Sequence, residues 1–146
     1  VSVVASNKRA SFDYFLLDKY EAGIVLVGSE VKSIRNGGMS INESFVQIEN
    51  GEVFLKNAYI KPYEKASSFA PDSRRNRKLL LGKNQIARLV KQKQNGMTIV
   101  PTKVYFKNGY VKIEIALAKG KKLFDKRQTL ADKQAKREID RALKKN

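Results

Sequence analysis

The chain has no cysteine and no histidine. The first absence excludes disulfides and thiol chemistry and leaves the redox compartment open. The two together remove the ligands of structural zinc, histidine general acid–base catalysis and the nucleophilic triads. No apolar run approaches the length of a membrane span, and the start, VSVVASNKRA, lacks the apolar stretch of a secretory leader, so a cytoplasmic protein is expected. Acids are also scarce. Against 30 Lys and Arg stand 14 Asp and Glu, a formal net charge of +16. Such an imbalance costs self-repulsion in the free protein and points to a polyanion, because each neutralised phosphate releases condensed counterions. Nucleic acid is the expected partner and an anionic membrane the main alternative; a merely robust surface carries both signs in comparable numbers. A length of 146 residues suits one core.

The stretch that organises the rest is residues 20–37, YEAGIVLVGSEVKSIRNG. Residues 20–27 alternate with a period of two and include Ile24, Val25 and Val27, which predicts a strand. Gly28 permits a turn, Ser29 can cap a helix, and Val31 with Ile34 form its apolar face beside a Lys32/Arg35 face. Gly37 ends it. Before this stretch, residues 1–6 read as a frayed lead-in or an edge strand. Residues 11–17 read as a first strand, tightly linked by Asp18-Lys19 to Tyr20 as an antiparallel pair.

Beyond it, Asn50-Gly51 predicts a hairpin between strands at 43–49 and 52–58, since both residues tolerate positive φ. Residues 61–72 are an aperiodic loop. A helix is expected over 83–94, with Ile86, Leu89 and Val90 as its apolar stripe and Gly96 as its stop. Asn108-Gly109 turns a second hairpin, in which Val111, Ile113, Ile115 and Leu117 alternate with wetter positions, and Pro101 must sit at a bulge, a strand start or an edge. Six strands joined mostly as hairpins would expose edges unless closed. The expected fold is therefore mainly β, a small antiparallel barrel of the oligonucleotide-binding type with two or three flanking helices; a split sheet is the alternative.

Residues 119–146 form a separate basic tail, following a barrel domain of residues 1–118. The tail holds eleven Lys and Arg against four acids, with a thin stripe of Ala131, Ala135, Ile139 and Leu143. Such a segment is expected to be frayed when free and helical on RNA.

Three constellations could carry function. Residues 74–78, RRNRK, put four cations against a triple leucine with no acid within the run, favouring a phosphate patch over a solvated charge run. Residues 119–127 surround Phe124 with cations, which suits stacking on an unpaired base; tucking of that ring onto the barrel is equally compatible. The third is the pair Glu21 and Glu30. Salt bridging ranks first for these acids, a contact to RNA donors second, and Mg²⁺-dependent catalysis third, since a nuclease needs acids clustered around its ion. There is no phosphate-binding glycine loop, no dinucleotide fingerprint, no helix–turn–helix and no aromatic RNA-recognition motif. No cofactor, metal or catalytic residue is expected.

Several stretches together resemble one family, the SsrA-binding proteins (small protein B) of bacterial trans-translation. They are residues 7–15 (NKRAxxDYF), 20–37, 54–64 (FLKNAYIxPYE), 75–81 (RxRKLLL), 96–106 (GxTIVPxKVYF) and 116–127 (ALAKGKKxxDKR), in the same order over nearly the whole chain. The resemblance implies a barrel that binds the tRNA-like domain of transfer-messenger RNA at its elbow and D-loop, standing where an anticodon arm would be. It also implies entry into the A site of a stalled ribosome, with the tail helical in the empty mRNA channel against small-subunit rRNA. No bond is made or broken by such a protein, and a monomer is expected when free.

By the same resemblance, Asn7, Tyr14 and Glu21 lie in stretches used for the RNA contact, which moves Glu21 to an RNA role. Lys32, Arg35, Arg75, Arg77, Lys78 and Leu80 extend that face. Lys119, Gly120, Lys121, Lys122, Phe124, Asp125, Lys126 and Arg127 match the tail segment used on the ribosome. Two positions depart from the pattern. Phe12 stands where many relatives carry a histidine used at the decoding centre, so either the ring stacks there or that contact is lost. Gly82 replaces a second common histidine. The rival reading is a ribosomal or ribosome-assembly protein bound constitutively to rRNA.

Overall fold

The computed structural model describes residues 2–63, 71–93 and 96–121. In chain order the elements are β1 (Ser2–Ser6), α1 (Ala10–Asp13), β2 (Tyr14–Ile24), α2 (Gly28–Arg35), β3 (Met39–Ser40), β4 (Phe45–Glu49), β5 (Glu52–Lys56) and β6 (Tyr59–Ile60). They continue with β7 (Arg77–Leu80), α3 (Lys83–Gln92), β8 (Met97–Lys107) and β9 (Tyr110–Gly120). Strands β8, β4, β5, β7, β2 and β9 pair in that order, all antiparallel, and β9 pairs back onto β8. The ring is closed, as expected, which pairs each of its strands on both sides. Its weakest seam is β4 on β8, where Val46↔Ile99 is the one paired position. β1 lies outside the ring against β8, and β3 pairs with β6 in a small separate ladder.

Period-two burial fills the barrel. Ala22, Ile113 and Val104 sit opposite one another on β2, β9 and β8 and all face inward, with Val53, Leu55, Leu79, Ile99 and Ile115 in the same core. Burying each such aliphatic side chain stabilises by about 1.5–3 kcal/mol. Val100 and Ala118 fall on the opposite face. There Ala10 of α1 covers them, with Tyr14 and Leu16 alongside, as a small second core outside the barrel.

Both hairpins turn as expected on Asn-Gly, with φ of +52° and +77° at Asn50-Gly51 and +53° and +82° at Asn108-Gly109. Pro101 sits where the β8 register shifts, a position that needs no donor. Other expectations fail for identifiable reasons. Asp18-Lys19 is no turn: β2 runs unbroken from Tyr14 to Ile24, with an irregularity between Leu16 and Lys19, because β9 pairs with it on both sides of that point. Residues 11–13 belong to α1, not to a strand. Val25 and Val27 lie beyond the end of β2 and are exposed. Ser29 does not cap α2; the Glu30 carboxylate reaches back to the Val27 N–H at 3.1 Å. β4 begins at Phe45 because Glu43 takes a φ of +66°, outside any strand. β5 stops at Lys56, before Asn57 at φ +64°. On α3, Leu89 is buried and Ile86 packs against the core, but Val90 is exposed. β9 continues through Gly120, opposite Tyr14, so a boundary at residues 118 and 119 falls inside a strand.

Candidate nucleic-acid interface

Since Ala22, Ile113 and Val104 point into the barrel, their neighbours Glu21, Lys112, Glu114, Lys103 and Tyr105 point out. Across this outer face the Tyr105 hydroxyl donates to the Glu21 carboxylate, and Lys107 Nζ lies 3.3 Å from the same group. Tyr105 is only 5 % exposed, and the Lys103 Nζ stands 5.7 Å from its ring centre. The Tyr105 hydrogen bond, helped by Lys107 and Lys112, holds the Glu21 carboxyl below its ordinary range against some desolvation. Burial, and then Glu21 itself, push the Tyr105 phenol up. Glu21 is therefore an anion held in place by a tyrosine and a lysine, with a side chain still 40 % exposed. A carboxylate so placed can accept from a ribose hydroxyl or a base amino group, while the lysines around it meet phosphates.

The same face continues towards the β8–β9 turn. Gly23 lies opposite Leu80, where even a Cβ would come within 3.4 Å of the leucine Cβ. Leu80 is 53 % exposed and Tyr110 70 %, and with Leu26, Val31 and Lys112 they line an open cavity of about 220 Å³. Arg35 stacks over the Phe106 ring at 4.7 Å, and Lys32 stands 5.7 Å from the Tyr63 ring centre. Both cations thus rest on aromatic faces at the surface.

The basic run behaves differently from expectation. Arg77 is fully buried and Glu30 is 3 % exposed. Arg77 donates to Glu30 Oε2 at 3.0 Å and to the carbonyls of Ala58, Arg75 and Ser73 at 2.9–3.1 Å, using every guanidinium nitrogen. Arg75 grips the same carboxylate at 2.6 and 3.0 Å. Burial alone would raise the Glu30 pKa, but the Arg75 hydrogen bonds, the Val27 N–H and Arg77 bring it below its ordinary value. Burial likewise pulls the Arg77 guanidinium down, opposed chiefly by Glu30. Lys78 pairs with Glu52 at 2.8 Å on the surface. Arg77 is thus corrected from an RNA contact to a core clamp, Arg75 is largely committed to Glu30, and the acids that pair with these side chains arrive from α2 and β5. Arg74 keeps an exposed guanidinium, 5.3 Å over the Tyr59 ring.

Asn7 is also committed: its Nδ2 donates to the Pro101 carbonyl at 3.1 Å and its backbone N–H to Thr102 O at 2.8 Å. It docks the amino-terminal arm onto the β8 irregularity. Tyr14 is half-buried under α1, while Phe12 is 66 % exposed with Arg9 5.6 Å from its ring centre. Where β9 ends, Gly120 faces Tyr14, Lys119 faces Phe15, and Lys121 lies over the Phe15 ring at 5.1 Å with its Nζ 3.2 Å from Ser11 O. Lys122, Phe124, Asp125, Lys126 and Arg127 lie outside the described residues. The structure thus gathers Glu21, Leu80 and Lys112 on one face and Phe12, Tyr14, Gly120 and Lys121 at the other end of the barrel. Sequence reasoning missed Tyr105, Lys107 and Tyr110, although the exposed side of an alternating hairpin was the available signal.

The family model described as SmpB protein matches residues 4–145. An SsrA-binding protein of Sulfurihydrogenibium sp. (strain YO3AOP1) is 56 % identical over 143 residues, covering 97 % of this chain and 94 % of that one. One from Shouchella clausii (strain KSM-K16) is 55 % identical over 143 residues, with 97 % and 92 % covered. A solved structure described as "tmRNA-SmpB: a journey to the center of the bacterial ribosome" superposes with a TM-score of 0.67 at 51 % identity, covering 80 % of this chain and 82 % of that one. With a closed six-strand barrel, an outward carboxylate set among lysines, and a match along almost its entire length, the chain belongs to the SmpB protein family.

Proposed function

We propose that this protein binds the tRNA-like domain of transfer-messenger RNA and delivers it to the A site of stalled ribosomes, acting in the cytoplasm and making or breaking no bond itself. The observation that carries the reading is the 56 % identity to an SsrA-binding protein over 97 % of the chain. The barrel supports it with two separated RNA-facing regions. Around Glu21, Tyr105 and Lys107, with Leu80 and Tyr110 beyond, a folded RNA meets an oriented acceptor, apolar contacts and cations. About six residues further along β9 from Glu114, the partner of Glu21, or roughly 20 Å, Phe12, Lys119, Gly120 and Lys121 begin the ribosome-facing end. Lys122, Phe124, Asp125, Lys126 and Arg127 continue that end into a tail that orders on rRNA. Lys32, Arg35 and Arg74 add phosphate contacts flanking the first region, whereas Asn7 and Arg75 act by positioning.

Filter binding of labelled transfer-messenger RNA, with excess tRNA and rRNA as competitors, tests this reading. Tight binding that survives competition is expected, and equal affinity for bulk tRNA would overturn it. Glu21→Ala is expected to lower that affinity about tenfold, the scale of losing a hydrogen bond to a charged group. Deleting residues 122–146 is expected to leave RNA binding intact and abolish peptide tagging. Equal loss of binding in both variants would contradict the division of labour.

A further inference from the structure

A large cavity lies away from the Glu21 face, where two strands diverge along one edge of β8. β1 pairs with residues 103–106 of that strand and β4 meets it at Ile99. Between them the Pro101 and Thr102 carbonyls are taken by Asn7, after which the chain turns off into α1. The approach to β4 runs through Glu43 at φ +66°. The fork encloses about 840 Å³, lined by Lys8, Arg9, Tyr14, Asn42, Phe45 and Thr98 among others. That lies within the ~300–1,000 Å³ range of small-ligand sites.

Phe45 and Thr98 also line a second cavity, of about 470 Å³, which Lys93 borders as well. The Phe45 ring, 40 % exposed, therefore stands between two open clefts, with Lys8 and Arg9 at one and Lys93 at the other. Of the two acids on the larger cleft, Asp13 is paired with Arg9 at 3.2 Å, while Glu43 has no ion pair among the described residues. An aromatic face between cations is how barrels of this type hold single-stranded nucleic acid, stacking a base while the cations track its phosphates. Glu43, on the same cleft, suits a base amino group, not a phosphate.

We infer that this fork is a second RNA site, in which an unpaired nucleotide stacks on Phe45 with Lys8, Arg9 and Lys93 along its phosphates. Thr98 faces Ala118, and Tyr14 faces Gly120, so the cleft shares the end of the barrel from which the tail departs. The nucleotide accordingly belongs to small-subunit rRNA, which rests on the function proposed above, and not to the folded RNA at the Glu21 face.

The experiment measures binding of the full-length protein to transfer-messenger RNA and, with that RNA bound, to small ribosomal subunits. Phe45→Ala and Phe45→Leu are expected to leave the first affinity unchanged and lower the second about tenfold, with Phe45→Tyr restoring it. A benzophenone amino acid at position 45 is expected to crosslink to rRNA. Unchanged subunit affinity in both Ala and Leu variants, or a crosslink to residues 122–146 of the same chain, would overturn the site. Equal loss on transfer-messenger RNA alone would overturn the assignment to rRNA. A wild-type protein that binds neither RNA overturns the functional reading itself, a different result from any of these.

Discussion

Two acids nine positions apart, Glu21 and Glu30, occupy opposite kinds of place. Glu30 is sealed in the first turn of α2 with two guanidiniums on its oxygens, whereas Glu21 stands in the open, oriented by Tyr105 and Lys107. Both have lowered pKa values, yet the consequences differ. A buried carboxylate that loses its partners, or leaves them unpaired, costs several kcal/mol, because a naked charge remains in a poorly solvated place. An exposed one is screened by water and contributes little to folding. What Glu21 loses in structural weight it keeps in availability: its acceptor capacity is still open to a partner.

The comparison breaks most readily at Glu30. Glu30→Ala is expected to destabilise the fold by about 3–5 kcal/mol and lower the melting temperature by roughly 10–20 °C, followed by circular dichroism. Adding Arg77→Met should recover part of that loss by removing the stranded charge; a double variant no more stable than the single one would refute the clamp. Acid is a gentler probe. Because the Glu30 pKa is below its ordinary 4.5 in the folded protein, its stabilisation is complete above the unfolded value and is lost as pH falls through the folded one. Wild-type stability should decline with acidification below about pH 4.5, and Glu30→Gln should flatten that decline. Glu21→Ala is expected to leave the melting curve in place while RNA affinity falls, and a large melting shift would show that the Glu21–Tyr105 pair is structural. Lys78→Ala should be the smallest change, within about 0.5 kcal/mol, since its partner Glu52 is a surface acid.

The basic run at residues 74–78 shows where reading a sequence reaches its limit. Four cations beside three leucines look like one patch, yet β7 alternates: Arg77 and Leu79 turn inward while Lys78 and Leu80 turn outward. Alternation was legible, but an inward arginine is stable only with a buried carboxylate opposite it, and that carboxylate comes from 47 residues away. Asn7 repeats the lesson on the scale of a single amide: nothing local shows that its donor is consumed by Pro101. The reverse holds for the turns. Asn50-Gly51 and Asn108-Gly109 were legible because their positive φ is a local property of those residues.

The sequence alone determined what depends on near neighbours and on sums: the alternating strands, the two Asn-Gly hairpins, the helix over α2, the charge of +16 and the order of motifs that marks the family. Tertiary structure decided what depends on which charges meet. Closing the barrel brought Glu30 onto Arg75 and Arg77 and set Glu21 beside Tyr105, and so separated the cations spent on folding from those left for RNA. The reason is physical: burial and long-range pairing set the energy of an ionised side chain, and neither is a property of its own stretch of chain.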